Sequence, residues 1–596
     1  MGSSDLPATL AFTAATAPHW PNAAPEAVPI ANKAMVGQRW TWEAELGSRY
    51  RLDKLVAVAT SRDGGDPVAR SRAHLDSIRA GGLDTALEAH EHAWARRWSL
   101  AANTAAWAKE WARTDVEIDG DDEAQIAVRF NLFQMLIAAP RHDDRVNIGA
   151  KTLSGFGYRG HSFWDTEIFM LPFFILTEPS VARSLLMYRF HNLPAAREKA
   201  RALGYQGALY AWESADNGRE AAPSEVVGPS GEVVHILTGT QEHHISADIA
   251  YAVWQYWRAT RDDAFFSGAG AEILLETARF WASRAADEPD GRCHIRQVMG
   301  PDEYHETVDD NAYTNSMAAW NLRRGLETAA LLAERWPAQW ATTRERLQLA
   351  ETELRDWGRI ADAMFRLQSE SGVIEQFAGY DLLEEIDLTA HEPRTAPMDV
   401  LLGRERTQRT KVIKQADALL LVYLLWEEFA PEVREATFRY YEPRTAHGSS
   451  LSPGIHAAVA ARLGDLERAL RYFRQTAATD LGDGMGNSAG GVHLGALGSL
   501  WQAAVMGFGG VEILDDSLRL QPRLPQAWQG LDFKLRWRGR TVNVSIASDP
   551  PGCVMRLETG EPLAVTVGGK PLPALTPGGE PRTSPLGEPW ELREES

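Results

Sequence analysis

The 596-residue sequence predicts a mainly α protein with a β piece at each end, and three observations carry that prediction. Helical periodicity recurs from about residue 124 to 509, period-two alternation marks 36–60, and short alternating runs separated by turn residues follow Gly510. The chain also exceeds the roughly 250–300 residues at which a single core stops growing, so more than one domain is expected.

Taken in order, Gln38-Arg39-Trp40-Thr41-Trp42-Glu43-Ala44 and Lys54-Leu55-Val56-Ala57-Val58-Ala59-Thr60 alternate as strands do. From Arg70 to about Trp111 the chain turns rich in Ala, Glu and Arg, with Leu87, His90, Trp94 and Trp98 near helical spacing, so connecting helices are expected. Central helices are expected at 123–139, 181–203, 249–257, 270–288, 313–335, 342–368, 414–429, 454–475 and 495–507; in one of them Ile249, Val253, Trp254 and Trp257 share a face. The loops between them hold every unusual residue cluster. Beyond Gly510, Leu535 to Ile546, Cys553 to Leu557 and Leu563 to Val567 read as strands, with turns at Asp549-Pro550-Pro551-Gly552, Gly560 and Gly568-Gly569. The tail from Pro577 reads as a loosely held extension, and Asp115 to Gly120 as an acidic turn before a helix.

Composition narrows the function. A net charge of -20 with no Lys/Arg cluster argues against nucleic acid, because a negative surface repels phosphate backbones. Two cysteines far apart, Cys293 and Cys553, build neither a disulfide framework nor a cysteine zinc site, so no metal is expected. The start Met1-Gly2-Ser3-Ser4-Asp5 lacks a signal-peptide pattern, and the most apolar runs, Phe169 to Leu176 and Leu419 to Trp426, fall far short of the ~20 residues that span a bilayer. A cytoplasmic protein without membrane contact is the expectation. The 21 Trp stand out, since a Trp face stacks on sugar rings as well as in cores.

Several motifs drop away. Gly155-Phe156-Gly157-Tyr158-Arg159-Gly160 has GxGxxG spacing but no preceding strand or βαβ pattern. The Asp115 segment has Ile126 where a calcium loop needs a bidentate Glu. Neither His90/His92 nor His243-His244 makes a chelate alone. What remains is Val298-Met299-Gly300-Pro301-Asp302-Glu303-Tyr304-His305-Glu306, a Gly-Pro turn that sets carboxylates beside hydrogen-bonding aromatics, suited to holding a protonated acid for glycoside cleavage. Phe163-Trp164-Asp165-Thr166-Glu167 and Tyr210-Ala211-Trp212-Glu213 each put a Trp beside a carboxylate, so that a sugar ring stacks while the acid bridges hydroxyls; Asp165 as a helix N-cap is the plain alternative. Lys414-Gln415 at a helix start can bind hydroxyls. His447-Gly448-Ser449-Ser450, just before a helix, offers donors to an anion, and Gly490-Gly491-Val492-His493 adds a turn and a cationic donor.

With these residues the sequence resembles glycoside hydrolase family 65, the family of maltose, kojibiose, nigerose and trehalose phosphorylases. The resemblance rests on Tyr158 to Glu167, Val298 to His305, Lys414-Gln415-Ala416-Asp417, Tyr441 to Ser452, Gly491-Val492-His493 and Gly507-Phe508-Gly509-Gly510. It implies an α/α toroid of six helical hairpins at 123–510, a residual N-terminal β-sandwich segment at 1–65, linker helices at 66–122, and a small C-terminal β domain and tail at 511–596. It further implies Glu303 as general acid, Trp164, Asp165, Trp212, Glu213, Lys414 and Gln415 around the nonreducing glucose, with Tyr304 and His305 beside them, and Ser449, Ser450 and His493 on phosphate. The N-terminal piece is much shorter than a usual sandwich, and Gly448 stands where many phosphorylases have Asp.

The implied reaction is inverting phosphorolysis of an α-glucosyl disaccharide or α-glucoside to β-glucose 1-phosphate, with inorganic phosphate as co-substrate and no cofactor. An inverting hydrolase is the alternative; it needs a second carboxylate about 6.5–9.5 Å from the acid, and Glu442 is the candidate. A silent carbohydrate-binding toroid is a third reading, against which the intact Pro301-Asp302-Glu303-Tyr304-His305 argues. A homodimer stays open.

Overall fold

The computed structural model describes residues 10–20, 26–28, 37–98, 114–227, 231, 233–369, 371–394, 396–515 and 517–586. Two compact units emerge among the described residues, one within 4–112 and one within 113–596.

In the first unit, Leu10–Pro18 pairs antiparallel with Leu52–Thr60, placing Phe12 opposite Val58 and Ala11 opposite Ala59. The Ala11/Ala57/Ala59 face is buried, and Thr13 on that face hydrogen-bonds Ser71 of the helix Pro67–Gly81. That helix starts where Asp66 accepts from the Val68 and Ala69 amides ahead of Pro67 at the first turn. The Leu10–Pro18 strand has no counterpart in the sequence reading, because its Ala/Thr run carries too little hydrophobic contrast. Conversely, only Gln38 and Arg39 of the expected 38–44 strand lie in a ladder, as part of Gly37–Arg39 paired with Glu26–Val28. The connecting helices are Pro67–Gly81 and Leu83–Trp98; 99–111 lies outside the described residues.

The second unit has a helical centre, in keeping with a mainly α class. Several expected long helices are split where the backbone must turn: 181–203 at Asn192, 342–368 at Gln348 with φ 51°, and 454–475 at Gly464 with φ 92°. Ala312–Arg335 packs between Ala271–Arg284 and Glu351–Ala363, and Ser452–Leu463 packs on Leu466–Leu481. No helix among the described residues is long and apolar enough to cross a membrane.

Two sheets close the chain. One runs in the order 582–585, 551–559, 540–548, 530–537, 116–119, the other in the order 511–513, 518–520, 565–567, 570–571. Three readings are corrected here. The expected 535–546 strand is a hairpin, because Arg538 and Gly539 both adopt positive φ, 48° and 74°, and Trp537 faces Arg540. In the described part of the tail, 577–586, Arg582–Pro585 adds to Pro551–Thr559, and 587–596 lies outside the described residues. Asp115 to Gly120 holds the strand Val116–Asp119, which pairs with Gly530–Trp537 across more than four hundred residues of sequence.

Candidate active site

The acid loop 298–308 between central helices is closed on itself by backbone pairing. Val298 and Val308 exchange backbone hydrogen bonds of 2.9 and 2.8 Å, closing 298–308 with Glu303 near its tip. Behind Glu303 lies buried Asp302. One of its oxygens accepts from the Lys414 amide at 2.7 Å and the Tyr304 amide at 3.2 Å; the other meets His305 Nδ1 at 2.6 Å and Gln376 Nε2 at 2.9 Å. His305 Nε2 lies 2.8 Å from the Thr410 carbonyl. A carbonyl and a carboxylate only accept, so both ring nitrogens donate and the ring is an imidazolium. Burial alone would lower its pKa, but Asp302 reverses the sign. What His305 holds is the loop, and neither nitrogen is left for a sugar.

Asp302 also fixes the partner of the acid. Lys414 Nζ stands 3.1 Å from Glu303 Oε2. Burial by itself would lower the Lys414 pKa, yet the Glu303 carboxylate outweighs it and the net shift is upward. The Lys414 carbonyl in turn accepts from the Gly448 amide at 2.9 Å, which draws the Gly448-Ser449-Ser450 loop to the acid. A Cβ on Gly448 would lie 2.9 Å from Tyr304 Oη, so that loop passes directly over the tyrosine hydroxyl.

The two Trp/carboxylate pairs also come together. Ser162 and Ser214 pair through backbone bonds of 2.8 and 3.0 Å, setting Trp164 beside Trp212 with ring centroids 6.0 Å apart. Arg189, buried, grips both Glu167 oxygens at 2.8 Å and the Phe163 carbonyl at 2.9 Å, and so orients the intervening Trp164-Asp165. Asp165 stands at the start of a π-helical turn, Thr166–Met170, and its side chain caps no amide there. Burial pushes its carboxyl up to about 7, with Glu167 and Glu303 adding repulsion. Glu213 meets His161 Nδ1 at 2.6 Å, and burial raises its pKa despite that bond.

Beneath the indoles is a group the sequence reading passed over. His244 lies 2.8 Å from Glu242 and 2.7 Å from Asp248, Tyr313 donates to Asp248 at 2.7 Å, and the His244 ring sits edge-on to Trp164 and Trp212. Burial raises the Glu242 carboxyl, while Asp248 and Glu242 outweigh burial and raise His244. The only early signal was the adjacent His243-His244 pair, which single-file spacing could not connect to distant carboxylates. In the same region, Tyr304 Oη, Gln415 Oε1, Glu242 Oε1 and His161 Nε2 are buried without a hydrogen-bond partner. Orphaned buried polar atoms are costly, so these four retain hydrogen-bonding capacity that the protein itself does not use.

On the remaining side, Ser449 and Ser450 are half-buried ahead of the helix Ser452–Leu463. His493 precedes Leu494–Gln502 without its side chain capping the helix, and has its own partners: Nδ1 meets Asp480 at 2.7 Å, and Nε2 meets Lys151 Nζ at 2.5 Å. A Cβ on Gly495 would lie 2.4 Å from Leu451 Cδ2 and 3.0 Å from Asp165 Oδ1, so the His493 turn, the serine loop and Asp165 are neighbours. Glu442 is differently employed. It accepts from Arg471 and from Tyr472 Oη, each at 2.7 Å, with Arg468 at 3.4 Å.

The sequence matches three family models in chain order: the glycosyl hydrolase family 65 N-terminal domain over 8–97, its central catalytic domain over 129–502 and its C-terminal domain over 511–573. A kojibiose phosphorylase of Halothermothrix orenii is 40% identical over 524 residues, 86% of this chain and 66% of that protein. An α,α-trehalose phosphorylase of Thermoanaerobacter brockii is 36% identical over 528 residues, 88% of this chain and 65% of that protein. A solved structure from the human microbiome, described as a candidate kojibiose phosphorylase, superposes with a TM-score of 0.79 at 25% identity over 96% of this chain and 74% of that one. The chain thus spans slightly less than two thirds of the length of these curated relatives.

Proposed function

The chain belongs to glycosyl hydrolase family 65, and on that premise we propose that it cleaves an α-glucosyl disaccharide or α-glucoside by inverting phosphorolysis, releasing β-glucose 1-phosphate and the free acceptor. In this reading Glu303 protonates the glycosidic oxygen as the C1–O bond breaks. A phosphate oxygen attacks C1 from the opposite face, and the proton phosphate loses returns to Glu303 before the next turnover. Trp164, Asp165, Trp212, Glu213, Lys414, Gln415 and Tyr304 hold the glucosyl ring; Ser449, Ser450 and His493 receive phosphate.

The observation that carries phosphorolysis over hydrolysis is the state of Glu442. Hydrolysis requires a free carboxylate to activate water, and Glu442 is engaged by Arg471, Arg468 and Tyr472. Phosphate arrives already anionic and needs no such base. The names of the relatives support the same side, as phosphorylases of kojibiose and trehalose. The test is a panel of α-linked glucose disaccharides, kojibiose and trehalose among them, incubated with and without phosphate. Cleavage should require phosphate and yield β-glucose 1-phosphate. Equal release of free β-glucose in phosphate-free buffer would overturn the reading.

The same reading takes 123–510 as a toroid of six helical hairpins, 1–65 as a residual β-sandwich segment, 66–122 as linker apart from the strand Val116–Asp119, which joins the C-terminal sheet, and 511–596 as a C-terminal β domain with its tail. Support comes from hairpins such as Ser452–Leu463 with Leu466–Leu481, packed on each other across a two-residue connection. Limited proteolysis that cut first and often inside 123–510 would contradict these boundaries.

A further inference from the structure

Lys151 precedes the Gly155–Gly160 turn, and it is 6% exposed. Its ammonium has two partners among the described residues, both side chains without negative charge: Asn487 Oδ1 at 3.3 Å and His493 Nε2 at 2.5 Å. A carboxylate only accepts, so His493 Nδ1 carries the hydrogen given to Asp480 at 2.7 Å, and Nε2 is the atom turned to Lys151. Asp480 also accepts the His493 amide at 2.8 Å, so its charge is spent on His493 rather than on the lysine. His493, which the sequence offers as a cationic donor, has both ring nitrogens engaged, by Asp480 and by Lys151. Lys151 brings a second cationic side chain to the site.

A buried ammonium without a carboxylate at ion-pair distance is costly to keep. Burial lowers its pKa, and Asp480 and Asp483 offset this only at longer range. The surroundings are shaped to bring the charge to one place. A Cβ on Gly155 would lie 2.3 Å from the Gly490 carbonyl carbon, and one on Gly491, at φ 117°, would lie 2.4 Å from the Lys151 carbonyl oxygen. Two loops from opposite ends of the helical region therefore meet backbone to backbone at Lys151. The first turn of Leu494–Gln502 faces that junction, and the Leu451 contact at Gly495 brings Ser449-Ser450 alongside.

We infer that Lys151 is the charged residue that binds inorganic phosphate in this chain, its ammonium passing from His493 Nε2 to a phosphate oxygen when the anion arrives. The inference rests on the phosphorolysis reading and adds a residue to it. It differs from a purely structural role, in which Lys151 would stitch the 151 and 487 turns together through Asn487.

The experiment is steady-state kinetics on the full chain, varying phosphate and disaccharide separately, for Lys151→Met, Lys151→Arg and Asn487→Ala. Lys151→Met should raise the KM for phosphate at least about tenfold, as loss of one charge-assisted contact does, and leave the KM for disaccharide within about twofold. The KM for β-glucose 1-phosphate should rise in parallel in the synthetic direction, and Lys151→Arg should recover part of the loss. An unchanged phosphate KM, or equal rises in both KM values matched by Asn487→Ala, would overturn the inference in favour of the stitch. Should Lys151→Met not fold, Lys151→Gln, which keeps a hydrogen-bond donor but loses the charge, decides: a raised phosphate KM at constant disaccharide KM supports the charge, and no rise sinks it. Calorimetric titration of inorganic phosphate separates this inference from the reading beneath it. If wild type cleaves without phosphate yet binds it, and Lys151→Met does not, phosphorolysis falls and the site stands. If wild type binds no phosphate, both fall.

Discussion

Glu303 stands 3.1 Å from an ammonium in a pocket that also pushes Asp165 up to about 7, and the two carboxyls predict different behaviour. Glu303→Gln keeps shape and removes the proton, so turnover of an unactivated disaccharide should fall at least about 10²-fold with the circular dichroism spectrum unchanged; an unaltered rate would remove Glu303 from the reaction. Asp165 carries a stability signature as well. An unperturbed aspartate titrates at 3.8 and burial pushes the folded one up to about 7, so between about pH 4 and 7 the folded state holds a proton that the unfolded chain has released. Stability attached to this group is full below about pH 4 and is lost as pH rises to 7. Asp165→Asn cannot ionise and should escape that loss, gaining on the order of a few kcal/mol over wild type at pH 8 and nothing at pH 4, while kcat/KM drops. Thermal unfolding at the two pH values is the measurement. Glu303 and Asp165 were legible in sequence because a Gly-Pro turn and a Trp-Asp pair are local. Lys151, Arg189 and Glu242 were not, because each matters only through a partner brought in by folding: Lys151 meets His493 across 342 residues of chain.

Among the elements, the loops that carry chemistry are held by close backbone approach. The GxGxxG spacing, set aside as a dinucleotide site, has a packing cause: Gly155 and Gly157 leave room for the Gly490 backbone, which a Cβ on either would meet at 2.3 or 2.6 Å. Gly155→Ala should therefore cost about 1–3 kcal/mol, the range for forced overpacking, and should lower activity beyond what stability explains, since the Lys151 and His493 turns move with it. Denaturant unfolding alongside kinetics checks both; a variant equal to wild type in each would show that the two loops are not coupled. Helix interiors were read well from periodicity, as at Ile245–Thr260, whose Ile249, Val253, Trp254 and Trp257 are all buried. Their ends were read less well. A positive-φ residue such as Gln348 or Arg538 ends an element through backbone geometry that leaves no hydrophobic trace.

Across the molecule, the second unit depends on joints between distant segments. Trp528, fully buried ahead of the Gly530–Trp537 strand, packs on Phe508 at 4.6 Å and Phe473 at 5.2 Å, and so fastens the terminal sheet to two helical segments. Trp528→Ala should cost about 3–5 kcal/mol, read as a lowered denaturation midpoint; a change below about 1 kcal/mol would mean that the sheet is not held there. The order of β and α regions, the spacing of the helices and the residue types of the acid loop were determined by the sequence alone. Each is expressed over a few to a few dozen neighbouring residues, where periodicity and turn chemistry act. Tertiary structure decided the rest: that Val116–Asp119 becomes a strand of the C-terminal sheet, that Glu442 goes to Arg471 and Tyr472, that His305 braces the acid loop, and that a lysine takes up the nitrogen of His493. Ladder pairing, ion pairing and desolvation are set by distances in space, which one-dimensional spacing does not contain.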